Sequence, residues 1–195
     1  PGHGPVLRTD LQRYMKMYLD WSEPVHNPDT RPVIVMAWAS AYGYTETLAR
    51  SIAEGINSAG DFNLKSFDLV QTSPEEVVKA CDGAKGLLLG SPTINRDAVP
   101  PVWQVLTSLS PITHERMIAG AFGAYGWSGE AVPIIEARFQ QLRMKVLPGL
   151  RENFKPCVKR LAEAVEYGKA FAAAINGDET LIEPFLKWQI RTNPN

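Results

Sequence analysis

Short apolar segments alternate with amphipathic ones along most of the chain. The segments 33–38, 86–90 and 117–122 are continuously apolar, which is typical of strands in a parallel sheet that is buried on both faces. Between them lie stretches with helical periodicity, and a strongly amphipathic one covers about 157–175. Strands that alternate with helices in this way are joined by right-handed crossovers. The pattern therefore predicts an α/β fold in which helices cover both faces of one parallel sheet.

Turn-forming residues and helix caps set the boundaries of the predicted elements. Ser73 followed by Pro74 provides a cap and a first-turn proline for one helix, and Gly60 ends another. The predicted strands are 33–38, 64–70, 86–90, 117–122 and 145–146, with the last extending toward 150. The predicted helices begin at about 45, 73, 100, 129 and 157. These elements make a three-layer sandwich with a five-stranded parallel sheet in the order 2-1-3-4-5.

A separate helix is predicted before the sheet. Residues 10–23 place five apolar side chains on one face at helical spacing. The segment 24–32 follows with three prolines and several turn-forming residues, which is typical of a linker between domains. Because the sequence opens without an initiator methionine, we expect it to have been excised from a longer polypeptide.

The turn after the first strand predicts a phosphate site. Residues 40–45 bring hydroxyls at Ser40 and Thr45, and a backbone-permissive Gly43, to the start of a helix. The first N–H groups of a helix lack intrahelical acceptors, and the helix dipole favours an anion there. The turn has neither the glycine pattern of a dinucleotide site nor the lysine of a Walker loop, so a phosphate monoester is favoured. An ordinary turn between a strand and a helix fits these residues equally well.

Two further loops follow predicted strands at the same edge of the sheet. Residues 91–97 can offer amide, hydroxyl and carboxamide groups to the polar edge of a heterocycle. Residues 123–129 combine three glycines with Tyr125 and Trp127, on which a planar ligand could stack, although Trp127 could instead pack against the next helix. Ligands of such sheets bind beyond the carboxyl ends of the strands. Together the three loops predict a site for flavin mononucleotide (FMN).

Composition and charge exclude some partners. The chain has 195 residues, of which 45% are hydrophobic and 21% charged, as in a soluble globular protein. A formal net charge of −1 gives no electrostatic basis for binding nucleic acid or an anionic membrane. No apolar run approaches the roughly 20 residues that span a bilayer. The near-neutral charge also favours a tethered or dimerised redox partner over one that is met by diffusion.

The two cysteines, Cys81 and Cys157, make neither a disulfide framework nor a zinc site. They are either free structural thiols or take part in a redox-linked or intermolecular role. The predicted strand order places their helices on opposite faces of the sheet, so we expect no intramolecular disulfide. His26 and His114 fall in predicted loops away from the three strand ends, and we interpret them as surface residues.

The motifs in these loops resemble those of a known family. Ser40-x-Tyr42-Gly43-x-Thr45, SPTIN at 91–95 and AFGAYGWSGEAV at 121–132 are similar to the flavodoxin-like domain of flavodiiron proteins, the A-type flavoproteins. The similarity continues through 151–156, and residues 1–22 look like the end of the metallo-β-lactamase-like domain that precedes the flavodoxin-like domain in that family. The resemblance thus spans about residues 1–175 and implies a flavodoxin-like fold.

The resemblance implies the organisation of a parent protein. Residues 1–31 would be the tail of the metallo-β-lactamase-like domain with a linker, and 32–176 the FMN-binding domain. The parent would reduce dioxygen to water, or nitric oxide, at a non-haem di-iron centre that lies outside this chain. FMN would pass electrons to that centre across a head-to-tail oligomer. No residue of this chain is then expected to be catalytic.

The resemblance also implies which residues bind the cofactor. Phosphate would be held by Ser40, Ala41, Tyr42, Gly43, Tyr44 and Thr45. The isoalloxazine ring would be lined by Ser91, Pro92, Thr93, Ile94 and Asn95, and its pocket completed by Tyr125, Gly126, Trp127, Ser128 and Gly129. His3 matches the last histidine ligand of the di-iron site in the intact parent, but a lone histidine cannot hold two irons.

Two departures from the family pattern point to a subgroup. Many members have methionine and asparagine where this chain has Ala41 and Tyr44, and this version resembles that of oxygenic phototrophs. Their longer proteins carry a flavin reductase domain that takes electrons from NAD(P)H, so residues 177–195 would be a leader toward such a domain. The location would be the chloroplast stroma or the cytoplasm. Tyr44 could also crowd the phosphate turn and weaken flavin binding.

Two other functions remain compatible with these residues. The domain could have lost its flavin and act as a structural or interaction module within a larger assembly. It could also be a stand-alone quinone reductase of the same fold, which the His3 segment and the absent start methionine disfavour.

Overall fold

The structure, a computed structural model, describes residue 6 and residues 8–22 and 29–182. The chain divides into two compact units, Pro1–Thr30 and Arg31–Asn195. In the first unit the helix α1, Leu11–Ser22, confirms the helix predicted over 10–23. No described helix is long and apolar enough to cross a membrane.

The second unit contains the predicted alternation of strands and helices. Its strands are β1 Val33–Trp38, β2 Asn63–Asp68, β3 Gly86–Gly90, β4 Thr93–Ile94, β5 Asp97–Ala98, β6 Ile118–Tyr125, β7 Lys145–Val146 and β8 Leu150–Asn153. Its helices are α2 Tyr44–Ala59, α3 Pro74–Cys81, α4 Pro100–Ser108, α5 Ala131–Gln141 and α6 Val158–Ile175. As the sequence predicts, the Ser73 side chain caps α3 by accepting a hydrogen bond from the Glu76 N–H at 3.3 Å.

The main sheet is parallel and has the order β2-β1-β3-β6-β7, while β8 pairs with β6 further along. Because β7 and β8 share one position in the sheet, the predicted order 2-1-3-4-5 is confirmed. β7 lies beside Ile118–Ala119, and β8 lies beside Phe122–Tyr125. The break between them contains Pro148, which has no N–H to donate, and Gly149, whose N–H donates to the buried Glu136 carboxylate.

Alternate residues of the strands face two separate hydrophobic cores. Val35, Leu87 and Leu89 pack with α3, α4 and α5, whereas Ile34 and Leu88 pack with α2 and α6. Both cysteines are free. Cys81 ends α3 inside the first core, where burial raises the pKa of its thiol to about 12, and Cys157 is exposed at the start of α6. The prediction that their helices lie on opposite faces is thus confirmed.

α2 and α6 approach each other closely because each has a glycine at the contact. A Cβ atom on Gly55 would lie 2.0 Å from the Val165 carbonyl oxygen, and one on Gly168 would lie 2.1 Å from the Ile52 carbonyl oxygen. Both obstacles are backbone atoms, which cannot rotate aside. This contact fixes α2, and therefore the turn at its start, against α6.

The second predicted loop is a small hairpin, which the sequence analysis did not predict. Thr93 and Ile94 pair antiparallel with Ala98 and Asp97. The two residues between the strands, Asn95 and Arg96, have φ values of 52° and 64°, as in the tight turns that match the twist of a hairpin. β6 also continues to Tyr125, three residues beyond its predicted end at 122.

Candidate functional site

A cavity of about 140 Å³ lies at the carboxyl edge of the sheet, between the three loops that follow β1, β3 and β6. Its lining comes from all three predicted loops and from one residue after β8. The lining residues are Ser40, Ala41, Tyr42, Tyr44, Thr45, Pro92, Thr93, Ile94, Ala124, Tyr125, Gly126 and Phe154. The edge that topology favours for a ligand therefore has a cavity.

The turn before α2 has the geometry of an anion site. Gly43 caps the helix in the left-handed conformation, with φ 76°, and a Cβ there would meet nothing within 4 Å. Gly43 has no side chain to cap the helix, so the N–H groups of Tyr44 and Thr45 have no acceptor within it. The Glu46 N–H donates to the Ser40 hydroxyl at 3.3 Å. Space, amide donors and a helix N-terminus thus coincide in this turn.

Thr45 adds a buried hydroxyl to the same turn. Its side chain is only 1% exposed, yet it lines the cavity. Its oxygen accepts a hydrogen bond from the Ala124 N–H at 3.4 Å, which ties the turn to the end of β6. Because that contact leaves the hydroxyl proton unused, Thr45 can still donate to an anion in the cavity.

The aromatic wall of the cavity includes a residue that the sequence analysis missed. Phe154 has φ 59°, is 60% exposed, and donates its N–H to the Tyr125 carbonyl at 2.8 Å. A Cβ on Gly126 would lie 3.3 Å from the Phe154 ring, so the ring lies directly against that loop. The resemblance over 151–156 gives no role to this phenylalanine. The sequence signal for it is its position after a strand that ends at this edge of the sheet.

Six of the predicted cofactor residues lie outside the cavity lining: Gly43, Ser91, Asn95, Trp127, Ser128 and Gly129. Ser91 is fully buried, and its hydroxyl donates to the Pro92 carbonyl at 2.8 Å and accepts from the Val99 N–H at 3.0 Å. Trp127 is 96% exposed, so its ring neither closes the cavity nor packs against the next helix. Asn95 forms the tip of the hairpin.

The interpretation of His114 as a surface residue is wrong. It is 4% exposed. The Ser110 N–H donates to its Nδ1 at 3.1 Å, and its Nε2 faces the Asp82 carboxylate at 3.7 Å. It lines a second cavity of about 270 Å³ at the opposite edge of the sheet, near the starts of β3 and β6. His3 and His26 lie outside the described residues. Among those described, no three His, Cys, Asp or Glu residues are grouped to hold a metal ion.

Comparisons with known proteins agree with this geometry. The profile of the flavodoxin family matches residues 37–180. A type A flavoprotein of Rhodobacter capsulatus is 35% identical over 180 residues, which cover 91% of this chain and 41% of that protein. A flavo-diiron protein of Clostridium acetobutylicum is 34% identical over 180 residues, covering 89% of this chain and 44% of that protein. The metal-soaked Flv1 flavodiiron core of Synechocystis has a TM-score of 0.68 and 32% identity, over 90% of this chain and 43% of that one.

The parallel sheet and the cavity at its carboxyl edge define a flavodoxin-like α/β domain. The chain belongs to the flavodoxin family, and its domain is of the kind found in flavodiiron proteins, the type A flavoproteins. Membership of this family implies an FMN site, and the two relatives are a type A flavoprotein and a flavo-diiron protein. The chain spans less than half the length of these two relatives.

Proposed function

We propose that this domain binds FMN in the cavity at the carboxyl edge and transfers electrons within a flavodiiron oxidoreductase. The observation that carries the proposal is the joining of two features in one cavity. One feature is the hydroxyl-and-amide turn at the start of α2, and the other is the wall formed by Tyr125 and Phe154. The first suits a phosphate monoester, and the second suits a planar ring.

The residues of the cavity fit the two ends of FMN. The N-terminus of α2, with Ser40 and Thr45, would hold the phosphate. The backbone and side chains of Pro92, Thr93 and Ile94, together with the aromatic wall, would hold the ring. FMN itself supplies the redox chemistry, and the protein orients it and controls its exposure to water.

The parent protein is proposed to follow the domain order that the resemblance implies. Residues 1–31 would end a metallo-β-lactamase-like domain, 32–176 would bind FMN, and 177–195 would lead to a flavin reductase domain fed by NAD(P)H. His3 would ligate iron only in the intact protein. The acceptor would be dioxygen or nitric oxide, reached across a head-to-tail homo- or hetero-oligomer. The presence of further domains in the parent is supported by the share of each relative that this chain leaves unmatched.

We propose that the chain belongs to the subgroup found in oxygenic phototrophs. This proposal rests only on Ala41 and Tyr44 in the phosphate turn. Identity does not separate the candidates, because the Synechocystis core and the Rhodobacter flavoprotein are similar to this chain to nearly the same extent, at 32% and 35%. In that subgroup the role would be oxygen reduction linked to photosynthesis, in the chloroplast stroma or the cytoplasm.

Titration of the purified chain with FMN tests the proposal. We expect flavin fluorescence to be quenched saturably at one FMN per chain, because a ring held against Tyr125 would be quenched by electron transfer from its phenol. Riboflavin, which lacks the phosphate, should bind more weakly. No quenching at FMN concentrations on the order of 100 μM would contradict the proposal.

A structural module without FMN is a second candidate, and the size of the cavity favours it. The cavity of about 140 Å³ is smaller than the roughly 300–1,000 Å³ of typical ligand sites. The rings of Tyr42 and Tyr44 lie 6.4 Å apart, centre to centre, and both line it. Binding of FMN would then require one of these rings to move.

Substitution of Tyr44 by asparagine should tighten FMN binding about two- to ten-fold. Ordering one flexible side chain on binding costs about 0.5–1.5 kcal/mol, and the smaller asparagine avoids most of that cost. The dissociation constant is measured by the same quenching, with Tyr18→Asn on α1 as a control that should change nothing. Weaker binding by Tyr44→Asn would show instead that the tyrosine ring holds the ligand. If wild type fails to bind and Tyr44→Asn binds, the structural module is favoured.

A further inference from the structure

One carboxylate connects two of the loops that form the cavity. The Glu130 side chain accepts a hydrogen bond on each oxygen, one from the Arg96 guanidinium at 3.0 Å and one from the Ser128 hydroxyl at 2.7 Å. Arg96 lies at the tip of the β4–β5 hairpin, and Ser128 lies in the loop after β6. The two donors therefore come from different loops. Arg96 lies 34 residues from Glu130 in the sequence, and Ser128 lies 2 residues from it.

A second contact joins the same two loops nearer to the cavity. The Ala131 N–H, at the start of α5, donates to the Thr93 hydroxyl at 3.2 Å. The Thr93 hydroxyl thus connects the two loops, and the Ser128 hydroxyl holds the Glu130 carboxylate that Arg96 also reaches. Asp97, the hairpin residue next to Arg96, is held separately, because its carboxylate accepts from the Trp103 indole N–H at 2.9 Å. Among the described residues, Glu130 holds the tip from the side of the loop after β6.

The two joined loops carry opposite parts of the cavity lining. The hairpin contributes Thr93 and Ile94, and the strand and loop on the other side contribute Tyr125 and Gly126. A change in the distance between the loops changes the width of the space in which a planar ring would lie. We infer that Glu130 is a positioning residue that sets this width, and with it the affinity for FMN, without touching the ligand. The inference rests on the proposed function.

The charges and the exposure of Arg96 and Glu130 determine how much their contact changes the affinity for FMN. Arg96 is 84% exposed, and Glu130 is less exposed than its partner. The hydrogen bonds from Ser128 and Arg96 hold the pKa of the Glu130 carboxyl below its usual range, so it is ionised at neutral pH. An exposed pair of this kind changes an equilibrium constant by only about two- to five-fold, and salt screens it.

Glu130→Gln is the variant that tests the inference. Glutamine keeps the size of the side chain but removes its charge, so the hydrogen bond from Arg96 loses its ionic component and is weakened. In the complete 195-residue chain, we expect the FMN dissociation constant to rise about two- to five-fold at low salt. The difference should shrink at about 0.5 M salt. Arg96→Gln should raise the FMN dissociation constant by a similar factor. The double variant should bind FMN no more weakly than either single variant.

A matched control separates this effect from the loss of any surface charge. Glu166 pairs with Lys169 at 2.8 Å on α6, which contributes nothing to the cavity lining. Glu166→Gln should leave the FMN dissociation constant unchanged. An equal loss of affinity in this control would overturn the inference, as would full additivity of Arg96→Gln and Glu130→Gln.

Hydrogen exchange in the FMN-free chain supplies a readout that does not depend on flavin binding. In Glu130→Gln, we expect faster exchange of amides in 93–98 and 128–131, including that of Ala131, with an unchanged melting temperature. Unchanged exchange in these segments would overturn the inference even if FMN binds. If wild type does not bind FMN, the proposed function fails, and the exchange measurement alone still decides whether Glu130 holds the loops.

Discussion

Replacement of Thr45 by valine should raise the FMN dissociation constant about ten- to hundred-fold. Valine keeps the shape of a side chain that is almost completely buried, but it removes the hydroxyl that faces the cavity. A hydrogen bond to a charged group contributes about 1.5–3 kcal/mol, and the phosphate of FMN would lose one. Fluorescence titration measures the change.

Two controls make the result specific to the phosphate. Thr107→Val removes a hydroxyl that bonds only to its own helix backbone on α4, and it should not alter FMN binding. Riboflavin should bind wild type and Thr45→Val equally, because it has no phosphate to lose a contact. If Thr45→Val weakens the binding of riboflavin as much as that of FMN, the valine has displaced Ala124. If the affinity for FMN is unchanged, the phosphate does not contact Thr45.

Gly168→Ala should lower the free energy of unfolding by about 3 kcal/mol. On helix propensity alone, alanine would stabilise α6 by about 1 kcal/mol, so the two effects have opposite signs. The packing effect dominates because the new methyl group would lie 2.1 Å from a carbonyl oxygen of α2 and 3.0 Å from the Ile56 nitrogen. Urea denaturation, followed by far-ultraviolet circular dichroism, measures the loss.

Lys159→Ala on the exposed side of α6 is the control, and it should change stability by no more than about 0.5 kcal/mol. Gly55→Ala should destabilise as strongly as Gly168→Ala, since its methyl group meets the Val165 carbonyl across the same contact. A Gly168→Ala protein as stable as wild type would show that α2 and α6 separate more readily than their packing indicates.

The sheet and the phosphate turn could be predicted because their signals are local. The strand β3 coincides with the predicted strand 86–90. Its residues are apolar throughout, and a glycine lies at each end of it. The turn at 40–45 carries its glycine and hydroxyls within a few residues of a strand end. Such features are decided by neighbouring residues, and the tertiary structure does not override them.

The missed features depend on contacts between distant residues. The hairpin strands are two residues long, which is too short for any periodicity. The burial of His114 depends on its packing beside Asp82, which is 32 positions earlier in the chain. Phe154 reaches the cavity only because β8 pairs with the end of β6 after a break. The exposure of the Trp127 side chain is likewise not indicated by the spacing of residues in its loop.

The break at Pro148 and Gly149 makes the end of the sheet modular. β7 is anchored by Val146 in the first core, whereas β8 pairs with Phe122–Tyr125, packs Leu150 against the second core and is held by the Glu152–Arg160 ion pair. Residues 151–154 can therefore be exchanged as a cassette that keeps Glu152, because the inner half-strand does not depend on their register. Evolution, or a protein engineer, can reshape the ring-facing wall at Phe154 by grafting this short segment from a relative while Leu150 and the cores stay in place.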